Sequence, residues 1–527
     1  DYIDASQKVD WNNNGIIGDD EDKEHWMEWK DVTIGNSQDL YGYYNYGNGT
    51  TFYRLRWNQD SKISQNLKVT LTSQITDVHK VKAGFELTYY DIFDHDVDLA
   101  SGGNVYGQNI GRRKGWGQPG QSKITPRIGG AFIQDKMEYP GLIVNVGLRF
   151  DYFDPDVDEW PEDLEDPVVE PTKGGEIKNP TRVKPKFYWS PRLGISHPIT
   201  DKDVLYFNYG RYFQIPIFRL LYTNINWDLS GAFPLVGNPD INPETTYSYE
   251  VGIRHQISEG MKIEIKAFYK DIQGLTDTRQ IYYTAANYYT LYYNLDYGNV
   301  RGIEIDFWKM LGRYWGGSIN YTYSVALGKS SSSRQNYDLT WAGQIIPKKE
   351  AYLDWDQRHT INADLQFRIP GTNTLFDMVV QYGSGLPYSP TPRTLEVPIN
   401  TERRPWTLNS RLSISQRFRL ASNISMEVFF WVNNLFNKRN LIDIVDVDWY
   451  ENYTDIQKRY EKGELSKEEY LQLMDTGPNG VYDGRENDPF EDGKPDWNKL
   501  YPAGGRYGDK SVYSEGRTFR LGIGLVF

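Results

Sequence analysis

Apolar and polar residues alternate with period two along most of the chain. Met261, Ile263, Ile265, Ala267 and Tyr269 alternate with Lys262, Glu264, Lys266 and Lys270. Ile361, Ala363, Leu365, Phe367 and Ile369 alternate with Thr360, Asn362, Asp364, Gln366 and Arg368. Ile424, Met426, Val428, Phe430 and Val432 face away from Ser425, Glu427 and Asn433, and the last residues repeat the pattern with Phe519, Leu521, Ile523, Leu525 and Phe527. Successive side chains of a strand point to opposite faces, so each segment has one greasy face and one wet face. Most segments run longer than the usual strand of about 5–6 residues and match a tilted membrane-spanning strand of about 9–11.

The pattern predicts about fifteen strands: 52–75, 80–92, 127–137, 142–153, 186–196, 203–213, 247–257, 261–271, 300–308, 315–325, 357–369, 375–385, 407–418, 424–432 and 517–527. The first reads as one strand, or as two joined through Asn58–Lys62. Short connections (Asp77–His79, Glu138–Gly141, His197–Lys202, Ser258–Gly260, Lys309–Tyr314, Pro370–Thr374 and Arg419–Asn423) alternate with long ones. The long ones are 93–126, 154–185, 214–246, 272–299, 326–356, 386–406 and 433–516. A soluble sandwich has no reason to gather every long loop at one end, whereas an outer-membrane barrel has tight periplasmic turns and long external loops. The expected fold is all-β: an antiparallel transmembrane β-barrel with long extracellular loops. Tyr89, Tyr90, Tyr152, Tyr188, Trp189, Tyr212, Trp315 and Trp431 lie near segment ends, where amphipathic rings favour the membrane boundary. Arg149, Arg192, Arg211, Glu304, Asp306 and Asp364 are expected to face a wet lumen.

Composition narrows the field. The chain has 527 residues, no cysteine, a net charge of −13 and 15% aromatic residues. Mean hydropathy is −0.66, and no run of about 18 apolar residues offers a helical membrane span. Net acidity without a basic cluster argues against nucleic acid as a partner. The absence of cysteine removes disulfides, thiol catalysis and Cys-ligated metals. The six histidines, His25, His79, His95, His197, His255 and His359, are scattered, with no i,i+4 pair. No P-loop, nucleophile elbow or dinucleotide fingerprint occurs, so no enzyme is expected; His359 reads as a strand start rather than a base.

Several stretches, in this order, resemble the TonB-dependent outer-membrane receptor family. They are Ser190-Pro-Arg-Leu-Gly-Ile, Asp203-Val-Leu-Tyr-Phe-Asn-Tyr-Gly-Arg-Tyr-Phe, Asn238-Pro-Asp-Ile-Asn-Pro-Glu244 leading to Tyr249-Glu-Val-Gly, and Asn299-Val-Arg-Gly-Ile-Glu304. Trp355-Asp-Gln-Arg-His359, Gly385-Leu-Pro-Tyr388, Val432-Asn-Asn-Leu-Phe-Asn437 and the terminal Phe527 complete the set. The resemblance covers about residues 80–527. It implies a bacterial outer-membrane location and a barrel of about 22 strands closed by an N-terminal plug. It also implies TonB-energised import of a large or scarce nutrient: a siderophore, cobalamin, an oligosaccharide or a peptide. Neither plug sequence nor TonB box is found. Strand parity places residues 1–51 outside, which leaves about 15–16 strands of the family's roughly 22 and reads as a partial barrel. Outer-membrane lipid, the TonB complex acting through the plug and a nutrient ligand are the implied partners; a lipoprotein lid is left open. A passive porin and a soluble or surface calcium-dependent β-rich binding protein are the alternatives.

Two loops have calcium-ligand spacing. Asp10-Trp-Asn12-Asn-Asn14-Gly15-Ile16 through Glu21 fits D-x-[DN]-x-[DN]-G-x5-E, with side-chain oxygens from Asp10, Asn12 and Asn14, the Ile16 carbonyl and a bidentate Glu21. Asp475, Asn479, Val481, Asp483 and Glu486 form a second candidate, in which Gly477 lacks the oxygen expected at position three. Ser466-Lys-Glu-Glu469 resembles a capping box opening a short helix before it. Calcium in either loop would be structural. The acidic stretch 151–173 is read as a solvated surface loop able to attract cations. Tyr282, Tyr283, Tyr288, Tyr289, Tyr292 and Tyr293 are candidate stacking contacts for a ligand, or else extend a hairpin above the membrane.

Overall fold

The structure, a computed structural model, describes residues 43–45, 51–53, 55–99, 113–116, 124–169, 176–225, 227, 229, 233–285, 287–372, 374–392, 397–421, 424–444, 447–467, 469–470 and 514–526. Fifteen long strands dominate it. They are β1 (Leu55–Gln74), β2 (His79–Leu99), β3 (Arg127–Tyr139), β4 (Leu142–Asp154), β5 (Lys186–Pro198), β6 (Asp203–Gln214), β7 (Glu244–Ser258) and β8 (Met261–Tyr282). Then follow β9 (Tyr288–Lys309), β10 (Trp315–Gly328), β11 (His359–Ile369), β12 (Thr374–Gly383), β13 (Thr407–Arg419), β14 (Ser425–Asn433) and β15 (Thr518–Val526). Each coincides in order with one alternating segment of the sequence.

The strands follow one another round a barrel-shaped sheet, and the short strands Arg113–Trp116, Leu235–Val236 and Ala351–Tyr352 join it. An antiparallel ladder links every consecutive pair from β1 to β15. β15 and β1 stand next to each other in the ring, yet among the described residues no registered pairs join them. Residues 61–74 of β1 are exposed on both faces, as an edge strand is.

Register fixes the two faces. Between β5 and β6, Leu193 opposes Tyr209 and Ile195 opposes Phe207, while Gly194 opposes Asn208 and Ser196 opposes Tyr206. Apolar rows point outward: Leu521 is 74% and Ile523 68% exposed, and Leu71, Phe85, Ile133, Leu148, Val251, Ile303 and Phe367 continue the belt. A continuous apolar belt of this extent has no place in water and matches the lipid-facing band of an outer-membrane barrel; the soluble alternative fails on it. The inward rows carry a polar network. Arg149 binds Glu86 at 3.3 Å and Asp151 at 2.6 Å, Lys266 meets Glu304 at 2.6 Å, and Glu264 accepts from Tyr206 and Arg254.

Short connections of two to five residues lie at one rim: 75–78, 140–141, 199–202, 259–260, 310–314, 370–373 and 420–424. Two of them are closed by the same device, a threonine hydroxyl. Thr76 Oγ1 accepts from the Val78 and His79 N–H groups, and Thr200 Oγ1 from those of Lys202 and Asp203. The turn after Tyr139 is Pro140–Gly141, with Gly141 at φ +74°, where proline presets the first bend and glycine takes the left-handed second.

Two expectations and one alternative need correction. The segment 272–299 is not a loop: β8 and β9 continue through it as a paired hairpin, bulged at Gln273–Thr276, and only 283–287 connects them. The sequence hid this because the extension is rich in Thr, Asn and Tyr on both faces. β1 does not break at Asn58–Lys62, whose backbone pairs continuously with Asp96 through Ile92. Arg211 does not enter the lumen. It shares the outward row of Phe207 and Tyr209 and stands over the rings of Phe213 at 4.6 Å and Tyr247 at 5.4 Å. There its stem runs along apolar surface and its charge meets aromatic faces at the membrane edge.

Candidate functional site

Among the described residues the buried apolar cluster is not in the membrane-spanning part of the barrel wall. It lies above the long-loop rim, where Phe153, Val157, Trp160, Val168, Leu221, Tyr222, Trp227, Val236, Ile241, Tyr289, Leu291 and Tyr292 pack into one cluster. The described parts of the 155–185 and 215–243 segments fold against the raised β8–β9 hairpin and bury what the barrel cannot. Trp227 sits between Trp160 at 5.1 Å and Tyr289 at 5.3 Å. The buried hydroxyls donate to loop carbonyls: Tyr222 to Pro155 O at 2.8 Å and Tyr289 to Leu164 O at 2.7 Å. Burial raises the phenol pKa of Tyr222 and Tyr289 well above the usual range and pushes that of Tyr292 up to about 12.

The tyrosine cluster divides between core and surface. Tyr289 and Tyr292 are core residues, Tyr283 and Tyr293 pack against that core, and Tyr282 is 57% exposed. An exposed aromatic group does remain on the crown. Phe233 lies 5.9 Å from Trp341 and 6.4 Å from Tyr288, which in turn meets Tyr282 at 5.4 Å. Trp341 closes the short helix α1 (Gln335–Trp341) and is 62% exposed.

The acidic stretch is not a bare charged surface. Arg182 binds Asp154 Oδ2 and Asp156 Oδ1, each at 3.1 Å, and also Asp158; these carboxylates raise the guanidinium pKa. Lys178 similarly binds Asp166 at 2.5 Å.

The family-like motifs turn out to be fasteners of the long-loop rim. In the 238–244 stretch, Asn238 Nδ2 donates to Tyr292 O at 2.8 Å, and Asn242 and Asn294 exchange two bonds at 2.8 Å. In the 355–359 stretch, Asp356 is fully buried and accepts from Ala326 N at 2.7 Å, from Arg358 at 2.8 Å and from Arg403. His359 opens β11 and contacts the Tyr321 hydroxyl at 2.9 Å. At Gly385 a Cβ would collide with the Arg404 carbonyl, so only glycine fits that approach. In the 432–437 stretch, Asn434 and Asn437 take left-handed φ of 52° and 53°. Asn434 Nδ2 donates to the carbonyls of Lys438 and Glu515, both at 3.0 Å, and Asn437 Oδ1 accepts from Arg517 N at 3.1 Å, tying β14 to β15.

Both calcium-like loops, with Asp10, Asn12, Asn14, Ile16, Glu21, Asp475, Asn479, Val481, Asp483 and Glu486, lie outside the described residues. The capping box just before the second is formed: Ser466 N donates to Glu469 Oε2 at 2.9 Å and Glu469 N to Ser466 Oγ at 3.2 Å. The long helix α2 (Val447–Glu461) in the same loop was not expected. Among the described residues no group of three or more His, Cys, Asp or Glu comes together as a metal site.

One pair of carboxylates escaped the sequence reading. Asp277 of β8 and Asp296 of β9 are both buried in the raised hairpin, above the segment 261–271 that suits the membrane span. Asp277 Oδ1 accepts from the backbone N–H of Thr278 at 2.6 Å and of Asn336, in α1, at 3.2 Å. Asp296 Oδ1 faces Lys329 Nζ at 2.9 Å. Burial first, and the Asp296 charge second, push the Asp277 carboxyl up to about 7. The two acids are nineteen positions apart, and no ligand spacing connects them.

The lipid belt, the one-sided crown and the polar lumen define an outer-membrane β-barrel. A family model described as TonB dependent receptor-like, beta-barrel matches residues 4–435. The chain belongs to that family and is a protein of the bacterial outer membrane. Among solved structures it is similar to the outer membrane transporter YddB from Escherichia coli, with a TM-score of 0.51 and 11% identity over 77% of this chain and 55% of that one. It also resembles the FrpB iron transporter from Neisseria meningitidis (F3-3 variant), with a TM-score of 0.47 and 12% identity over 73% and 52%. The ferric enterobactin receptor PfeA from Pseudomonas aeruginosa gives a TM-score of 0.47 and 19% identity over 72% and 50%. The chain thus spans about half the length of the structures it matches. No curated protein matches it.

Proposed function

We infer that the protein is a TonB-dependent importer whose crown captures a nutrient at the cell surface. The observation that carries this is where the core lies. A passive channel gains nothing from a fully packed apolar core in its external loops, whereas a receptor needs a rigid platform that presents a fixed face to a ligand. The exposed rings of Phe233, Trp341 and Tyr282, with the half-buried Tyr288 between them, supply such a face on that platform. Aromatic faces suit ligands with ring surfaces of their own, such as sugars or catechol-type siderophores. Import would be coupled to TonB through a plug domain, as in the family.

The test is growth of a strain lacking the gene on a panel of siderophores, cobalamin, oligosaccharides and peptides as the limiting nutrient, beside a strain lacking TonB. Loss of growth on the same nutrient in both strains is the expected result. A growth defect that TonB loss does not reproduce would identify a passive channel instead.

A further inference from the structure

We propose that Asp277 and Asp296 hold a hard cation that locks the raised β8–β9 hairpin to the 329–341 segment. Both side chains are buried with no accessible surface. Asp277 Oδ1 is fixed by two backbone N–H groups, but Asp277 Oδ2 is buried without a hydrogen-bond partner, and so is Asp296 Oδ2. Buried carboxylate oxygens are nearly always met by donors or by a cation. Two buried carboxylate oxygens without donors, on side chains close enough for the Asp296 charge to act on Asp277, are a donor set suited to a cation.

Charge points the same way. Asp277 and Asp296 bring two negative charges, and Lys329 brings one positive charge, against Asp296 Oδ1. One positive charge is missing. A neutral oxygen is also at hand: the Ser330 hydroxyl lies within hydrogen-bond reach of the Asp277 carboxyl and donates to Ser332 O at 2.7 Å. No histidine belongs to the set. An all-oxygen donor set selects Ca²⁺ or Na⁺ over zinc or copper. The Lys329 side chain is partly exposed, so its ammonium can withdraw to water when a divalent ion enters.

The site also has a structural logic. Asp277 and Asp296 flank the bulge where β8 and β9 lose simple register, and Asn336 N–H docks α1 onto Asp277. A cation there joins the hairpin to the segment that carries Trp341, so it would set the position of the exposed aromatic face.

The experiment uses the full chain in detergent micelles, stripped with chelator, and follows thermal unfolding as CaCl₂, MgCl₂ or NaCl is added. To silence the two EF-hand-like loops, Asp10→Ala and Asp475→Ala are built into every protein compared. In that background, addition of Ca²⁺ or Na⁺ is expected to raise the melting temperature by several degrees. Asp277→Asn and Asp296→Asn should abolish the rise. Lys329→Met, which removes the competing ammonium, should lower the concentration needed about tenfold, and it tests the site even if the Asn variants fold poorly. Terbium luminescence sensitised by nearby tyrosine should fall in Asp277→Asn in parallel. An unchanged melting temperature with every salt, meaning that a proton alone fills the site, would overturn the proposal. So would a salt response of equal size in the two Asn variants.

Discussion

Arg358 Nε donates to Asp356 Oδ2 at 2.8 Å, and the same oxygen is bound by Arg403 from a different loop. Asp356 is completely buried, and its other oxygen holds Ala326 N–H. Both guanidinium groups also lie against the Tyr352 ring, at 4.4 and 5.5 Å. One carboxylate therefore fastens β10, the start of β11 and the 384–406 loop. Asp356→Ala should destabilise the barrel by about 3 kcal/mol, the lower end of the cost of breaking a buried ion pair, because both arginines keep access to water. Denaturant unfolding in micelles measures this; a loss under about 1 kcal/mol would show that the carboxylate is not the fastener.

Asn434 carries a second fastener. Its φ of 52° suits Asn or Gly, and its side chain also accepts from Lys438 N at 2.9 Å. Asn434→Ala should cost about 1–2 kcal/mol from backbone strain alone, and more with the lost hydrogen bonds. Asn434→Gly removes the strain but not the bonds, so it should fall between Ala and wild type. An Ala variant as stable as Gly would deny any role to the left-handed backbone.

These cases show what was legible in the chain. Strand identity and order were, because residues such as Ile263, Ile265 and Leu521 must all face one way for a lipid belt to exist. The motifs around Asn238, Asp356 and Asn434 were visible as motifs, but their work as fasteners depends on partners 30 to 81 positions away, such as Tyr292, Ala326 and Glu515. The crown core was invisible, since Leu221, Trp227 and Val236 come from a five-residue helix, a loop and a two-residue strand, all too short to show a period. Arg211 was misplaced because a charge on a strand suggests water, whereas its register puts it with Phe207 on the lipid row.

The lipid row makes a directional prediction. Ile523→Arg should cost about 2–4 kcal/mol if it lies at mid-bilayer, falling toward zero near either boundary. The neighbouring inward change Gly524→Ser, at a position where a Cβ meets nothing, should be close to neutral. Heat-modifiable migration of the folded protein on gels reports both. Equal tolerance at the two positions would mean that the outward face does not meet lipid.

The crown should have an alkaline weakness. Burial pushes Tyr292 up to about 12 against an unfolded value of about 10. The neutral phenol is favoured in the folded state, so its contribution is fully present below pH about 10 and is lost as pH rises from there toward 12. Tyrosinate absorbance should therefore show a slow group of tyrosines that ionise only as near-ultraviolet dichroism collapses. Tyr292→Phe should remove one of them, and immediate ionisation of every tyrosine at pH 11 would contradict a packed crown.

Because the chain has no cysteine, a single introduced thiol can be located without background. Ala285→Cys, in the 283–287 connection of the raised hairpin, and Asp201→Cys, in the short 199–202 turn, lie at opposite rims. With a membrane-impermeant maleimide on intact cells, Ala285→Cys should label fully, and Asp201→Cys only after the outer membrane is opened. Equal labelling of the two on intact cells, or the reverse order, would contradict a lipid-embedded barrel with its packed crown facing the outside.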